Sequence, residues 1–306
     1  MNNNSSNELL HGPRESMEYD VVIAGGGPAG LSAAIRIKQS AARHGCDFSV
    51  AVLEKGAEVG AHILSGAIMD TRALDELLPD WRQMGAPLRQ PVTQEDVLFL
   101  SETGSRATPH WLLPECLRND GNHVVSLGAV CKWLAQEAER LGVDIFPGFA
   151  ATEVLFDAQN RVRGVATGDM GIGKDGQPRA SFQRGMELLG KYTLFAEGAR
   201  GHLGKRLIAH YRLDEGRDPS SWAIGIKELW EVPAKQAQPG LVLHTAGWPS
   251  TDDSFGGGFL YHLEDNMVSL GYVLGLNYTN PWISPFEEMQ RWKLHPAIRA
   301  HIEGGK

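Results

Sequence analysis

The stretch "YDVVIAGGGPAGLSAAIRIKQSAARHGCDFSVAVLEKGAEVGAHILSGA", residues 19–67, decides the fold. Residues 21–24 form a continuous apolar run, the pattern of a strand buried on both faces of a parallel sheet. Gly25, Gly27 and Gly30 follow in the GxGxxG spacing. The first permits the tight turn, the second lets the backbone approach a pyrophosphate, and the third lets the next helix pack closely on the strand. The predicted helix, residues 29–43, follows Pro28 and begins at Ala29. It puts Leu31, Ala34 and Ile35 on one face and aims its amino-terminal N–H groups and positive dipole end at phosphates. A second predicted strand, residues 48–53, runs into Glu54, which stands 24 residues after Gly30. A carboxylate there is placed to accept from ribose hydroxyls and repels a 2′-phosphate, which disfavours NADP. The three glycines do not choose between NAD and FAD.

Working outward, a chain of 306 residues exceeds what a single core usually fills, so two lobes are expected. The balance of 29 Lys and Arg against 37 Asp and Glu contains no long run of one sign, which excludes a phosphate-tracking nucleic-acid surface. Cys46, Cys116 and Cys131 are scattered and odd in number. A disulfide framework, a zinc site and a four-cysteine cluster are therefore disfavoured, and a reducing, cytoplasmic setting is expected. Residues 1–17 read as a disordered tail. Acids and the lack of an apolar core make the amino terminus neither a secretory signal nor a transit peptide. No run approaches the roughly 18 apolar residues of a spanning helix, so any membrane contact should be peripheral.

Residues 192–207, "YTLFAEGARGHLGKRL", repeat the pattern of a buried strand running into glycines and a helix. Ala196, Glu197 and Gly198 fall at the carboxyl end of that strand, where open α/β sheets bind ligands. At this point the sequence becomes specific. The segments "GAHILSGAIMD", "LFAEGARGHLGK", "GVDIFPGFAATEVLF", "VATGDMGIGKDGQP", "SFGGGFLYHL" and "NPWISPFEEMQRWKLHPAIRAHIEGGK" resemble the electron transfer flavoprotein-ubiquinone oxidoreductase family, almost continuously over residues 19–306.

The resemblance implies FAD as cofactor, and electrons taken singly from reduced electron transfer flavoprotein and passed through FAD and a [4Fe–4S] cluster to ubiquinone. It places Lys55, His62, Leu64, Ser65, Gly66 and Ala151 against FAD, with Gly25, Gly27, Pro28, Ala29, Gly30, Glu54, Ala196, Glu197 and Gly198. It also places Gly256 and Gly257 against the ubiquinone ring. No catalytic acid–base residue and no metal ligand is assigned, because the cofactor carries the chemistry. The family also implies apolar surface at residues 95–117 that dips into a bilayer, hence peripheral attachment to the cytoplasmic face of the bacterial inner membrane. Family members are longer. The cluster cysteines and a last flavin segment are expected beyond "HIEGGK", so apolar sheet surface should lie exposed here. The alternatives are a flavin monooxygenase or prenyl reductase, which share both flavin segments, and a non-catalytic FAD-binding fragment.

The expected fold class is α/β: a Rossmann-like FAD-binding domain with a parallel sheet, residues 18–90 and 122–215, plus an antiparallel β-sheet quinone lobe, residues 91–121 and 216–306. Val130, Trp133, Leu134, Ala138 and Leu141 recur at helical spacing and predict a core-facing helix. "ATEVLFDAQNRVRGVAT" predicts a β-hairpin, and "GDMGIGKDGQP" a loop that is not a site. Short strands at 223–229, 241–246, 258–263 and 267–274 predict the antiparallel sheet. Three consecutive glycines, residues 256–258, weaken a strand and mark close approach of a ligand or another backbone. His62 is expected only to line the cofactor, and Glu197 to orient the flavin or the loop backbone.

Overall fold

The computed structural model describes residues 10–63, 66–250 and 254–306. The strand Ser16–Ala24 lies between Val50–Glu54 and Glu187–Phe195, parallel to both, and Val143–Pro147 extends the parallel set beyond Val50–Glu54. The hairpin Ala151–Phe156 and Val162–Thr167 closes the opposite side antiparallel, giving a six-stranded sheet. Val22, Ile23, Ala51 and Val52 are fully buried, which is why these strands read as unbroken apolar runs rather than alternating ones. The helix Pro28–Arg43 buries Gly30, Leu31, Ala34, Ile35 and Ala41. Its first residue is proline, whose missing N–H costs nothing at that position.

Order begins earlier than expected. Ser16 and Met17 pair with Glu187 and Leu188, and the Glu187 N–H donates to the Glu15 carbonyl at 2.8 Å, so the end of the expected tail is part of the sheet. The second strand starts at Val50 rather than residue 48. The helix Leu127–Arg140 buries Val130, Trp133, Leu134 and Ala138, but Leu141 lies past its end and is 38% exposed. The expected loop after Gly168 is instead a two-stranded hairpin, Met170–Ile172 against Pro178–Gln183. Its partner strand approaches so closely that a Cβ on Gly171 would lie 2.5 Å from the Ser181 carbonyl oxygen. On the helix side of the parallel sheet, Val21, Ala33, Ile37, Phe48, Tyr192 and Leu194 line an open apolar groove, with Tyr192 68% exposed.

A second six-stranded sheet runs in the order Ala223–Glu231, Met267–Gly275, Gly256–His262, Leu241–Gly247, Gln94–Leu100, Ser105–Ala107. The four predicted strands pair antiparallel with one another, and Gln94–Leu100, outside that prediction, adds to Leu241–Gly247 in parallel. A parallel pair needs a long crossover, and here the Cys131–Arg217 segment of the first unit is inserted between the two strands. Leu260, Leu270, Tyr272 and Leu274 on one face pack with Met289 and Trp292 of the helix Pro285–Leu294 and Ile298 and Ile302 of the helix Pro296–Ile302. Ser284 starts the first of these helices by accepting the Glu287 N–H, with Glu287 and Glu288 at the positive end of its dipole.

The chain divides into one unit that ends at Ile63 and resumes over Cys131–Arg217, and another made of the described residues from 66 to Val130 with Asp218–Lys306. The boundaries expected at residues 90 and 122 are thus displaced. Ala67–Met69 and Gln90–Pro91 both pair with His123–Val125 in a small sheet of their own, and Gly66 packs on Ser269, which draws residues 66–90 and 122–130 into the second unit.

Candidate functional site

A cavity of about 800 Å³ opens in the first unit at the carboxyl ends of the parallel strands. Its lining includes Gly25, Gly27, Pro28, Ala29, Glu54, Lys55, His62, Ala151, Ala196, Glu197 and Gly198. The glycines divide the work as the sequence predicts. Gly25 has φ +115°, and a Cβ on it would stand 2.4 Å from the Ala196 carbonyl oxygen, so the two strand-end turns touch through backbone. The Ala196 N–H donates to the Ala24 carbonyl at 2.8 Å and fixes that contact. Gly30 sits beneath the turn rather than in the cavity lining: a Cβ there would be 2.0 Å from the Gly25 carbonyl oxygen. Gly27 meets nothing within 4 Å, which leaves open space over the backbone at the helix start. Because Pro28 contributes no N–H, the first available at this end belong to Ala29 and Gly30. The turn therefore fits a pyrophosphate.

Glu54 does more than face a ribose. Its Oε2 accepts the Gly26 N–H at 3.1 Å and its Oε1 accepts the Gly56 N–H at 2.6 Å, so the carboxylate braces the glycine turn from the neighbouring strand. Each carboxylate oxygen has a second lone pair, which leaves acceptor capacity for hydroxyls. Glu197 is a helix cap: Oε1 accepts from the Leu203 N–H at 3.3 Å and Oε2 from the Gly204 N–H at 2.8 Å, at the start of the helix His202–Tyr211. Its charge lies at the positive dipole end, and His202 Nδ1 approaches to 3.3 Å. That orients loop and helix backbone, one of the two roles expected. Gly201 is required beside it, since a Cβ there would be 2.5 Å from Glu197 Cβ.

Among the other candidates, His62 is exposed and lines the cavity. Gly66 does not line it. It belongs to the second unit, buried with φ +83°, and its carbonyl accepts from Lys227 Nζ. Leu64 and Ser65 lie outside the described residues. The lining also takes in Ala150, and sequence reasoning missed Ala24, Leu53, Gly60, Ile63, Phe195, Arg200, Gly201 and His202, which complete it. For Arg200 and Gly201 a signal existed: they share the turn "EGARG" with Glu197 and Gly198, and Arg200 brings a positive charge suited to phosphates.

In the second unit the glycine run has packing causes. A Cβ on Gly258 would fall 2.2 Å from the Trp292 indole, one on Gly257 2.5 Å from the Thr245 carbonyl oxygen, and one on Gly256 2.5 Å from Ser250 Oγ. Trp292 Nε1 donates to Thr245 Oγ1 at 2.8 Å, and that hydroxyl also accepts the Gly258 N–H at 3.1 Å. The pairing of Gly256–His262 with both neighbours is unbroken, so the run forms no bulge. Gly257, Phe259 and Tyr261 alternate onto the other face. There the Phe259 and Tyr261 rings stack at 4.9 Å and Lys227 Nζ lies 5.4 Å from the Phe259 centroid. Burial lowers the pKa of Lys227. The apolar clusters of residues 95–117 split: Leu100 and Leu113 are buried, whereas Phe99, Trp111 and Leu112 are exposed, Trp111 by 74%.

Residues 222–306 match the family described as ETF-QO, ubiquinone-binding, and residues 23–78 match the NAD(P)-binding Rossmann-like domain. The chain is 57% identical to a probable electron transfer flavoprotein-ubiquinone oxidoreductase of Acinetobacter baylyi, over 96% of this chain and 52% of that protein. It is 55% identical to the electron transfer flavoprotein-ubiquinone oxidoreductase of Pseudomonas aeruginosa, over 96% and 54%. With the mitochondrial protein of Bos taurus the identity is 50%, over 96% and 48%. The chain thus spans about half the length of the curated relatives it matches. Among solved structures, a geranylgeranyl bacteriochlorophyll reductase-like protein from Thermoplasma acidophilum shares the fold with a TM-score of 0.61 at 17% identity, over 95% of this chain and 64% of the other. A flavoprotein/dehydrogenase from Cytophaga hutchinsonii gives 0.62 at 17% identity over the same shares. Over 96% of its own length the chain thus matches proteins of the electron transfer flavoprotein-ubiquinone oxidoreductase family.

Proposed function

We propose that this chain is the FAD-binding and ubiquinone-binding part of an oxidoreductase that passes electrons from reduced electron transfer flavoprotein to ubiquinone. The observation that carries this reading is the pairing of two features in one chain. The first unit has a two-turn dinucleotide cavity, and residues 222–306, which make up most of the second, match a ubiquinone-binding family. In this reading the open backbone at Gly27 to Ala29 holds the pyrophosphate, Glu54 accepts from ribose hydroxyls, and Ala151 lies at the adenine end. Arg200 adds charge complementarity to the phosphates. FAD, when bound, supplies the step between one-electron donors and a two-electron acceptor. The chain's own residues bind and orient it. No residue of this chain is assigned to a [4Fe–4S] cluster.

Peripheral membrane contact through Trp111, Leu112 and Phe99 belongs to the same proposal, at the cytoplasmic face of a bacterial inner membrane. Exposed Trp and Leu side chains of this kind suit the interfacial zone. The test is to purify the protein, record a flavin spectrum, and follow oxidation of reduced electron transfer flavoprotein with a short-chain ubiquinone as acceptor. Quinone-dependent oxidation is expected. Oxygen consumption dependent on an organic substrate, without quinone reduction, would instead establish a monooxygenase.

A further inference from the structure

We propose that Asp120, His110, Glu95, His244 and Tyr261 form a proton path through the second unit, from solvent to the sheet face that carries Gly257 and Phe259. The proposal rests on the reading that this unit binds ubiquinone. Reduction of a quinone to a quinol adds two electrons and two protons, one proton to each carbonyl oxygen. The electrons come from the reduced flavoprotein donor, and the protons must come from water.

The five side chains are drawn from distant parts of the chain and stand in line. Asp120 is 78% exposed at the outer end, and its Oδ2 is 3.4 Å from Nε2 of the half-exposed His110. The same nitrogen is 3.8 Å from Glu95 Oε2, and the Glu95 side chain is only 5% exposed. Glu95 Oε1 is 3.9 Å from His244 Nδ1, and His244 Nε2 is 2.9 Å from the Tyr261 hydroxyl. The shorter gaps permit direct transfer, and the longer ones a transfer through one water or after rotation of a ring.

Two details separate this line from ordinary packing. The Glu95 carboxylate accepts the Asn119 backbone N–H at 3.0 Å and the Asn119 side-chain amide as well, which fixes its orientation in a buried place. His244 Nδ1, facing that carboxylate, is buried without a hydrogen-bond partner among the described residues. A static role would leave that buried nitrogen uncompensated. A carrier needs such a position, able to hold or release a proton. With Nδ1 protonated toward Glu95, Nε2 is the acceptor of the Tyr261 O–H. Burial holds His244 below the ordinary imidazole range and Tyr261 above the ordinary phenol range, so neither stores charge at neutral pH. Glu95, His244 and Tyr261 share this face with Lys227, whose amine is occupied by the Gly66 carbonyl.

In each passage the Tyr261 O–H bond breaks as its proton moves to a quinone oxygen. The His244 ring turns so that its N–H faces the phenolate and gives up that proton as its other nitrogen takes one from Glu95, which His110 has protonated. Two passages complete one quinol.

The assay compares short-chain ubiquinone with ferricyanide, which takes one electron and no proton, in wild type and in His110→Ala, His244→Gln and Tyr261→Phe. Quinone reduction should fall about 100-fold, ferricyanide reduction should stay at the wild-type rate, and added imidazole should restore His110→Ala. Equal loss with both acceptors, an unchanged quinone rate, or no rescue by imidazole overturns the path. Wild type that reduces ferricyanide but not quinone defeats the functional reading instead. A second measurement needs no turnover: ¹⁵N spectra of the His244 ring should show protonation at Nδ1, shifting to Nε2 in Glu95→Gln. A wild-type ring protonated at Nε2 and indifferent to Glu95→Gln overturns the proposal on its own.

Discussion

Replacing Gly258 by alanine would drive a methyl carbon into the Trp292 indole. The added Cβ lies 2.2, 2.4 and 2.5 Å from Cε2, Cζ2 and Nε1 of a side chain with no solvent exposure, against an ordinary contact of about 3.5–4.0 Å. Something must move by more than 1 Å, and Trp292 is held by Leu260, Tyr272 and Met289 of the same core and by its bond to Thr245. Overpacking of this kind costs about 1–3 kcal/mol, and pulling Nε1 from Thr245 adds about 1 kcal/mol. A total of about 2–4 kcal/mol lowers Tm by about 4–16 °C for a domain of this size. The second half of the test is Trp292→Phe, which removes part of the ring that the methyl would strike. Alone it destabilises through lost volume and the lost hydrogen bond. Combined with Gly258→Ala it should cost at least 1 kcal/mol less than the sum of the single changes, because the two residues share one contact. Urea denaturation of the four proteins, followed by near-ultraviolet circular dichroism, measures the cycle. Additivity within about 0.5 kcal/mol would refute the packing explanation of this glycine and return it to ligand approach.

Two further outcomes follow from the geometry. Glu197→Ala removes the acceptor for two N–H groups at the start of the helix His202–Tyr211 and should cost about 1–2 kcal/mol and weaken FAD retention; an unchanged denaturation midpoint with normal flavin content would contradict the capping role. His262 is fully buried, accepts the Gln238 N–H at Nδ1, and meets His301 at Nε2, so burial and the second imidazole lower its pKa from 6.5 to about 4. The unfolded chain then binds a proton that the folded chain does not. Stability is therefore full above pH 6.5 and is lost as pH falls from 6.5 toward 4, by up to about 1.4 kcal/mol per unit. Denaturation midpoints across that range should lose this slope in His262→Phe once its own midpoint shift is subtracted.

The sequence by itself determined the nucleotide turn and the elements around it. Gly25, Gly27 and Gly30 obey steric limits set within a few residues, and fully buried parallel strands such as Val50–Glu54 leave a continuous apolar run that needs no partner to be recognised. Ala151–Phe156 and Val162–Thr167 were legible for the same reason: the turn and both strands are local. The tertiary structure decided what depends on residues far apart in the chain. Gly258 is explained by Trp292, Gly66 by Ser269, and the parallel pairing of Gln94–Leu100 by Leu241–Gly247, and no spacing along the chain encodes those meetings. Glu197 stands at a strand end in either reading, and only the direction of its carboxylate, toward the Leu203 and Gly204 N–H groups, makes it a cap. Glu95, His244 and Tyr261 look unrelated in one dimension. They become a line because strand register sets side chains from separate segments on one sheet face, a property of the assembled sheet and of no segment alone.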